Sequence, residues 1–186
     1  MNGPRRIAAP SFDPENAATK AMTQYDANRD GFLDAEELDK CPALKNALKQ
    51  LDTDGDGRLS REELLHRLQQ FKKTDVGVFS TTVKVRMDGE PLVGALVEME
   101  PEPFMGSSIK PAQGTTDDSG RALMRIAGPE PPGCNFGFYR VRISQKDASG
   151  EELVPDHFQG TLGIEVPNSS GGGTVFSLTR HKGLQP

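Results

Sequence analysis

The sequence predicts a multidomain α + β protein, in which an all-α unit is followed by an all-β unit. Residues 13–75 are rich in Leu, Ala, Glu, Gln and Lys, whereas residues 76–186 are rich in Val, Thr, Gly and Pro. These compositions follow helix and strand propensity respectively. Hydrophobic residues make up only 34% of the 186 residues and aromatic residues 6%. Such a composition favours two small cores over one large core.

Charge and hydropathy exclude two classes of function. The net charge is −5 and no basic segment stands out, so the sequence gives little support to nucleic-acid binding. No run approaches the length of a membrane-spanning helix, so we expect no transmembrane span. Residues 1–12 carry two Arg and two Pro without an apolar run. We expect them to form a disordered leader, because they lack the apolar region of a signal peptide.

Helix signals begin directly after this leader. Asp13 followed by Pro14 is typical of a helix start, and the helix should run to about Tyr25. Pro42 requires the helix before it to end near Lys40 or Cys41. Further apolar residues recur at helical spacing. These are Leu44, Leu48, Leu51, Leu64, Leu65, Leu68 and Phe71.

The strongest signal is a twelve-residue pattern that occurs twice, at residues 26–37 and 52–63. Each copy begins Asp-x-Asn/Asp-x-Asp-Gly, carries Leu at position 8 and ends with Glu at position 12. Oxygen atoms at positions 1, 3, 5, 7, 9 and 12 suit Ca²⁺, and position 7 contributes its backbone carbonyl. The predicted ligands are Asp26, Asn28, Asp30, Phe32, Asp34 and Glu37 in the first loop, and Asp52, Asp54, Asp56, Arg58, Ser60 and Glu63 in the second.

Two bound Ca²⁺ ions are therefore the expected cofactors. Each loop supplies four acidic ligands, which should repel one another without metal. The alternative is an acidic turn that has lost its metal, but neither loop lacks the ligands at positions 1, 5 or 12. Mg²⁺ is the weaker candidate because it demands tighter octahedral geometry.

Through these loops, residues 13–73 resemble the EF-hand family. The resemblance implies two paired hands, with Leu33 and Leu59 at position 8 forming a short antiparallel bridge. Only residues 38–51 separate the loops, so the middle helices are shorter than in sensor members of the family. Met22 is the only methionine in this segment, which argues against a Met-lined target groove. We therefore expect a structural or buffering use of calcium, with an intracellular sensor as an alternative.

A linker at 74–78 should lead into a β-sandwich at 79–180, before a tail at 181–186. Residues 79–87 alternate between apolar and polar side chains, and the turn dipeptide Asp88-Gly89 follows. Six or seven short strands separated by turns are typical of a sandwich. The other predicted strands are 93–100, 121–126, 138–144, 161–166 and 174–179.

Several turn and strand motifs carry a second resemblance. The motifs are Asp88-Gly89-Glu90-Pro91-Leu92-Val93-Gly94-Ala95, then Thr116-Asp117 with Gly120-Arg121-Ala122, then Pro132-Gly133 ahead of Tyr139-Arg140-Val141. Through them, residues 78–180 resemble the carboxypeptidase regulatory-like domains, which are transthyretin-like or prealbumin-like (Ig-like) sandwiches. Later segments resemble versions common in bacterial envelope proteins, particularly of planctomycetes. The resemblance implies a structural or interaction module of the periplasm or envelope, such as a lipoprotein, whose targeting segment is absent from this chain.

No catalytic motif was found, so we expect the protein not to be an enzyme. His66, His157 and His181 are isolated from one another in the sequence. Cys41 and Cys134 lie in different predicted domains, either as two unrelated thiols or as a bridge between the domains.

The partner of the β-sandwich is left open between a protein and a glycan. Phe136, Phe138 and Tyr139 form an aromatic cluster. The cluster either packs in the core or serves as a carbohydrate-stacking platform on the loops. The second case would make the protein a carbohydrate-binding or enzyme-accessory module.

Overall fold

A computed structural model describes residues 7–128, 131–167 and 173–180. Four helices lie in the N-terminal part: α1 (Pro14–Tyr25), α2 (Ala35–Leu38), α3 (Pro42–Leu51) and α4 (Arg61–Thr74). Two short strands, β1 (Phe32–Leu33) and β2 (Leu59–Ser60), lie between them. The β region contains β3 (Thr82–Met87), β4 (Glu90–Pro91), β5 (Leu96–Pro101), β6 (Ala112–Thr115), β7 (Arg121–Leu123), β8 (Arg125–Ile126), β9 (Gly137–Ser144), β10 (Leu162–Val166) and β11 (Thr174–Leu178).

The helix boundaries follow the predicted capping signals. The Asp13 side chain accepts a hydrogen bond from the backbone N–H of Glu15 at 3.1 Å. Helix α1 begins at Pro14, directly after Asp13, as predicted. Helix α2 ends at Leu38, ahead of Pro42. Helix α4 ends where Asp75 takes a left-handed conformation. Local sequence thus determines where each helix starts and stops.

The β region consists of two sheets. The five-stranded sheet has the order β10-β9-β5-β6-β8, and its pairs are all antiparallel. In the four-stranded sheet, β3 pairs with β11 on one side and with β4 and β7 on the other. The pairing of β11 with β3 is parallel. Residues 121–126 leave one sheet and join the other, because β7 and β8 lie in different sheets. The prediction of an α unit followed by a β-rich region is confirmed.

Two strands begin later than the sequence predicts. Phe79 forms only an isolated bridge with Cys134, and β3 begins at Thr82. The predicted strand at 93–100 begins at Leu96, because Gly94 adopts a positive φ of 76° within a turn. In both places, apolar and polar residues already alternate in the segment before the first paired residue of the strand.

The helical unit packs directly on the outer face of the five-stranded sheet. Helix α3 crosses β10 at Gly163, where a side-chain carbon, if one were added, would lie 2.2 Å from the backbone N of Ala43. The side-chain amide of Asn46 donates to the carbonyl of Gly163 at 2.7 Å. Buried apolar residues of the helices and of both sheets form one continuous cluster. The molecule is therefore built of three layers, although the domain boundaries stay a prediction.

Aromatic side chains fill the contact between the helices and the sheet. The ring of Phe71 on α4 lies 6.0 Å from that of Phe136 and 5.7 Å from that of Phe138. Phe136, Phe138 and Tyr139 are all buried. They therefore pack in the core, and do not form the exposed stacking platform that was considered as an alternative.

The leader and the tail are described only in part. Residues 1–6 and 181–186 lie outside the described residues, and so does His181. Residues 7–12 form no helix or strand, and the main chain of Ile7 and Ala8 lies against Gly77. A disordered leader at 1–12 stays a prediction.

Both cysteines are free and buried, so Cys41 and Cys134 do not form a bridge. Burial raises the pKa of Cys41 to about 12 and that of Cys134 to about 11.

We expect both thiols to react with a disulfide reagent at pH 8 about a hundredfold more slowly in the native protein than after unfolding, because little thiolate is present. A native labelling rate equal to the unfolded rate at either thiol would contradict this prediction.

Candidate metal centre

The first predicted loop opens at the C-terminal end of α1. Asp26 caps this helix, and its Oδ2 accepts a hydrogen bond from the N–H of Gly31 at 3.1 Å. Gly31 has a φ of 87°, as position 6 requires. The other carboxylate oxygen, Asp26 Oδ1, is buried and has no hydrogen-bond partner. A buried oxygen without a donor is costly, and a cation would satisfy it.

The last ligand of this loop is held by backbone donors. Glu37 is 5% exposed, and its Oε1 accepts from the N–H of Ala27 at 2.7 Å. Its Oε2 accepts from the N–H of Asp34 at 3.1 Å, while the Asp34 side chain caps α2. Position 9 thus acts as the cap of the outgoing helix. These bonds close the loop end to end.

The second predicted loop brings three carboxylates together. Asp52, Asp54 and Glu63 each place one carboxylate oxygen within 4.8 Å of the others. Asp52 Oδ2 also accepts from the N–H of Gly57 at 2.9 Å, which matches the bond that Asp26 makes in the first loop. This cluster is a suitable set of hard oxygen donors for Ca²⁺.

Like Glu37, Glu63 accepts hydrogen bonds from backbone N–H groups. In Glu63 these bonds favour the charged form of the carboxylate. Burial alone would raise its pKa, but hydrogen bonds from Ser60 and Thr53 outweigh burial and lower the pKa to about 2. The N–H of Thr53 donates at 2.7 Å and the N–H of Ser60 at 2.9 Å. Glu63 therefore fixes the start of α4 and also points a charged carboxylate at the cluster of predicted ligands.

The two loops lie side by side. Leu33 pairs with Leu59 in the short antiparallel ladder between β1 and β2, which confirms the predicted bridge. The guanidinium carbon of Arg58 lies 3.9 Å from the centre of the Phe32 ring. Arg58 also pairs with Asp56 at 3.0 Å. The side chains at position 7 thus link the loops, while their backbone carbonyls are the predicted ligands.

The remaining ligand positions form regular turns within each loop. Asn28 Oδ1 accepts from the N–H of Asp30 at 2.9 Å, and Asp54 Oδ1 accepts from the N–H of Asp56 at 3.1 Å. Among the described residues, only the second loop gathers three carboxylates at close range. Asn28 takes the place of one carboxylate in the first loop. The full set of twelve ligands stays a prediction.

Comparison with family models decides the assignment of this region. Residues 19–42 and 44–72 match the family model described as EF hand. The helical unit matches the EF hand. The two matched segments span both predicted loops, and the match suggests calcium binding. No curated protein and no solved structure gave a match. Within the described part of the chain, no helix combines the length and apolar character that crossing a membrane requires.

A buried polar cluster connects the first EF hand to the β region. Tyr25, the residue before Asp26, donates from its hydroxyl to Glu102 Oε2 at 2.9 Å. Arg140 donates to the same oxygen at 3.0 Å and to the Tyr25 hydroxyl at 3.0 Å. Glu102 is fully buried, and its Oε1 has no hydrogen-bond partner. The pKa of Tyr25 is raised above its ordinary range, mainly by burial, which keeps the hydroxyl a donor.

No sequence signal predicted this cluster, because its members come from distant parts of the chain. Replacing Tyr25 with Phe should lower the free energy of unfolding by about 1.5 kcal/mol, because the hydroxyl's buried hydrogen bonds with Glu102 and Arg140 are lost. Urea denaturation measures the change. Tyr139→Phe is the matched control and should lose less stability, because that hydroxyl makes one hydrogen bond, to the neutral carbonyl of Asn135. Equal stability of Tyr25→Phe and the native protein would contradict the prediction.

Proposed function

We propose that this is a non-enzymatic calcium-binding protein in which two ions, one in each EF hand, order the helical unit and hold it on the β region. The observation that carries the proposal is the cluster of Asp52, Asp54 and Glu63 oxygens within 4.8 Å of one another, in a segment that matches the EF hand. The unpartnered Oδ1 of Asp26 supports an ion in the first loop. When bound, each ion neutralises acidic ligands that otherwise repel one another.

A structural role is favoured over a calcium sensor. A sensor opens on binding calcium and exposes an apolar groove for its target. Here Phe71 and the apolar face of α3 already pack on the five-stranded sheet. Met22 is the only methionine among the helices. The surface that a sensor would present is thus occupied by the protein's own β region.

The position of the first loop supports coupling between calcium and this packing. Tyr25, on the incoming helix, contacts Glu102 and Arg140. Arg140 also donates to the carbonyl of Lys40, just beyond the outgoing helix. Arg140 therefore contacts the chain on both sides of the first loop, before it at Tyr25 and after it at Lys40. An ion that fixes the loop would fix both contacts.

For the β region, we propose a transthyretin-like sandwich that serves as a structural or interaction module of a bacterial envelope protein. Two sheets and a tight turn at Asp88 and Gly89, both at positive φ, support the sandwich. The turn and strand motifs described above support the family. An extracytoplasmic location would also supply the calcium concentration at which structural EF hands are occupied.

Calorimetric titration of the metal-free protein with Ca²⁺ and Mg²⁺ tests the proposal. We expect two Ca²⁺ ions per chain, with dissociation constants of about 10⁻⁴ to 10⁻³ M and weaker binding of Mg²⁺. A dye that reports exposed apolar surface should not brighten when calcium is added. Absence of calcium binding would overturn the proposal. Micromolar affinity together with a bright dye signal would replace it with the sensor.

A further inference from the structure

The outer face of the four-stranded sheet is basic although the protein as a whole is acidic. Lys84 on β3 lies directly opposite Arg121 on β7, and Arg86 follows two residues along β3. Like charges placed opposite each other destabilise a sheet, so this arrangement needs an explanation other than stability. No acidic residue occurs at the strand positions of this face that the structure describes. Those positions are Thr82, Lys84, Arg86, Pro91, Arg121, Leu123, Val175 and Ser177.

This basic face continues into a groove of about 770 Å³, where the chain crosses from β7 to β8. We call it the corner groove. Arg121 and Arg125 line it, on either side of the exposed Leu123. Neither guanidinium forms an ion pair or a side-chain hydrogen bond with a described residue. Two arginines in one groove without partners are available to an anionic ligand.

One acidic residue, Asp117, lines the corner groove, and the nearby charge of Arg121 is one of the causes that lower its pKa. Asp117 Oδ1 accepts hydrogen bonds from the Ser119 hydroxyl and from the N–H groups of Ser119 and Arg121. These bonds, that of the Ser119 hydroxyl first, lower the pKa of Asp117. Glu98 and Glu100 share a separate shallow hollow with Arg125. Within the lining of the corner groove itself, two arginines thus stand against one carboxylate, which leaves a net positive charge.

We propose that the corner groove binds an acidic glycan, a chain of sugars that carry carboxylates. Arginine pairs with carboxylate through two parallel hydrogen bonds. The hydroxyl and amide groups of Thr82, Gln113 and Thr115 also line the groove and can bond sugar hydroxyls. This proposal concerns the β region alone and does not depend on calcium binding by the EF hands.

Other occupants fit the groove less well. No aromatic side chain lines it, so neither a neutral sugar nor a single-stranded nucleic acid would find a stacking surface. An extended peptide binds most readily to an unpaired strand edge. The strands β3 and β6 that contribute to the groove already pair on both sides, and the edge strands β7 and β8 have only three and two residues, too few for a peptide to extend the sheet. A bilayer surface is flat, whereas the groove is a recess between the two sheets.

Titration of the full chain with an oligogalacturonate tests the proposal. The measurement is made in a chelator, so that no calcium ion bridges the glycan to the acidic loops. We expect saturable binding of oligogalacturonate and no binding of a neutral maltooligosaccharide. In the double variant Arg121→Gln, Arg125→Gln the affinity should fall at least tenfold. The matched control Lys72→Gln, Lys73→Gln removes two exposed charges from the end of α4 and should bind normally.

Four outcomes would overturn the proposal. They are no binding of oligogalacturonate, equal loss in the control variant, equally tight binding of polyglutamate, and binding that requires calcium. Arg121 and Arg125 are exposed, so the double variant should fold, and its melting curve verifies this. Because calcium binding is measured separately, failure of one proposal leaves the other intact.

Discussion

Replacing Glu63 with Gln should abolish the thermal stabilisation that we expect calcium to give through the second loop. At a calcium concentration a hundredfold above the dissociation constant, one site contributes about 2.7 kcal/mol. In a chain of this length that corresponds to roughly 5–10 °C in melting temperature. Glu37→Gln should have the same effect in the first loop, and the double variant should lose both contributions. Thermal melts with calcium and with chelator measure the difference.

The sequence offers a matched control in each loop. Glu36 and Glu62 immediately precede the predicted ligands and are exposed. Glu36→Gln and Glu62→Gln change the charge equally but remove no predicted ligand. They should keep the full calcium-induced increase in melting temperature. An increase of native size in Glu37→Gln or Glu63→Gln would contradict the ligand assignment.

The structure also shows that the effect of Glu63→Gln will not be confined to calcium-loaded protein. Glu63 accepts hydrogen bonds from Thr53 and Ser60, and an amide cannot accept all of them. A smaller loss of stability should therefore persist in chelator. The calcium-dependent part is read from the difference between the two conditions.

Replacing Gly163 with Ala should separate α3 from the five-stranded sheet. The added carbon would lie 2.2 Å from the backbone N of Ala43, and backbone cannot move aside as a flexible side chain can. We expect a loss of about 3 kcal/mol or more in the free energy of unfolding, at the upper end of overpacking effects. Denaturation measures this loss. Calcium titration should still show two sites, because both loops are intact.

Gly137 supplies the control for this prediction. It lies on β9, the neighbouring strand, and a carbon added there would meet the end of the Met105 side chain at 3.2 Å. Met105 can shift, so Gly137→Ala should cost much less than Gly163→Ala. If both variants were equally stable, the close packing of α3 on β10 would be contradicted.

The sequence could predict two twelve-residue loops because all the predicted ligands of one loop lie within twelve residues of one another. The spacing of Asp26, Gly31 and Glu37 is itself the geometry of the site. The helix caps at Asp13 and Ser60 are equally local. The confirmed start of α1 after Asp13 depends on such local interactions, whereas the ligand assignment stays a prediction.

The packing of the helices on the sheet could not be predicted in this way. Asn46 and Gly163 are 117 residues apart, and Tyr25 and Glu102 are 77 residues apart. Glu102 lies between Pro101 and Pro103, and nothing in the neighbouring sequence indicates that its side chain is buried. The corner groove could not be predicted for the same reason. The sequence alone does not show that Arg121 and Arg125 line one groove, because strands from distant parts of the chain form it.

The parallel pairing of β11 with β3 determines how late the four-stranded sheet can be completed. β3 is synthesised early, but its partner on one side is the last described strand of the chain, about 90 residues later. Contacts between such distant segments form slowly, whereas the helical unit depends largely on local contacts. On the ribosome, the helical unit can therefore acquire structure while β3 still has an open edge. Shortening the chain before Thr174 would leave that edge exposed to aggregation.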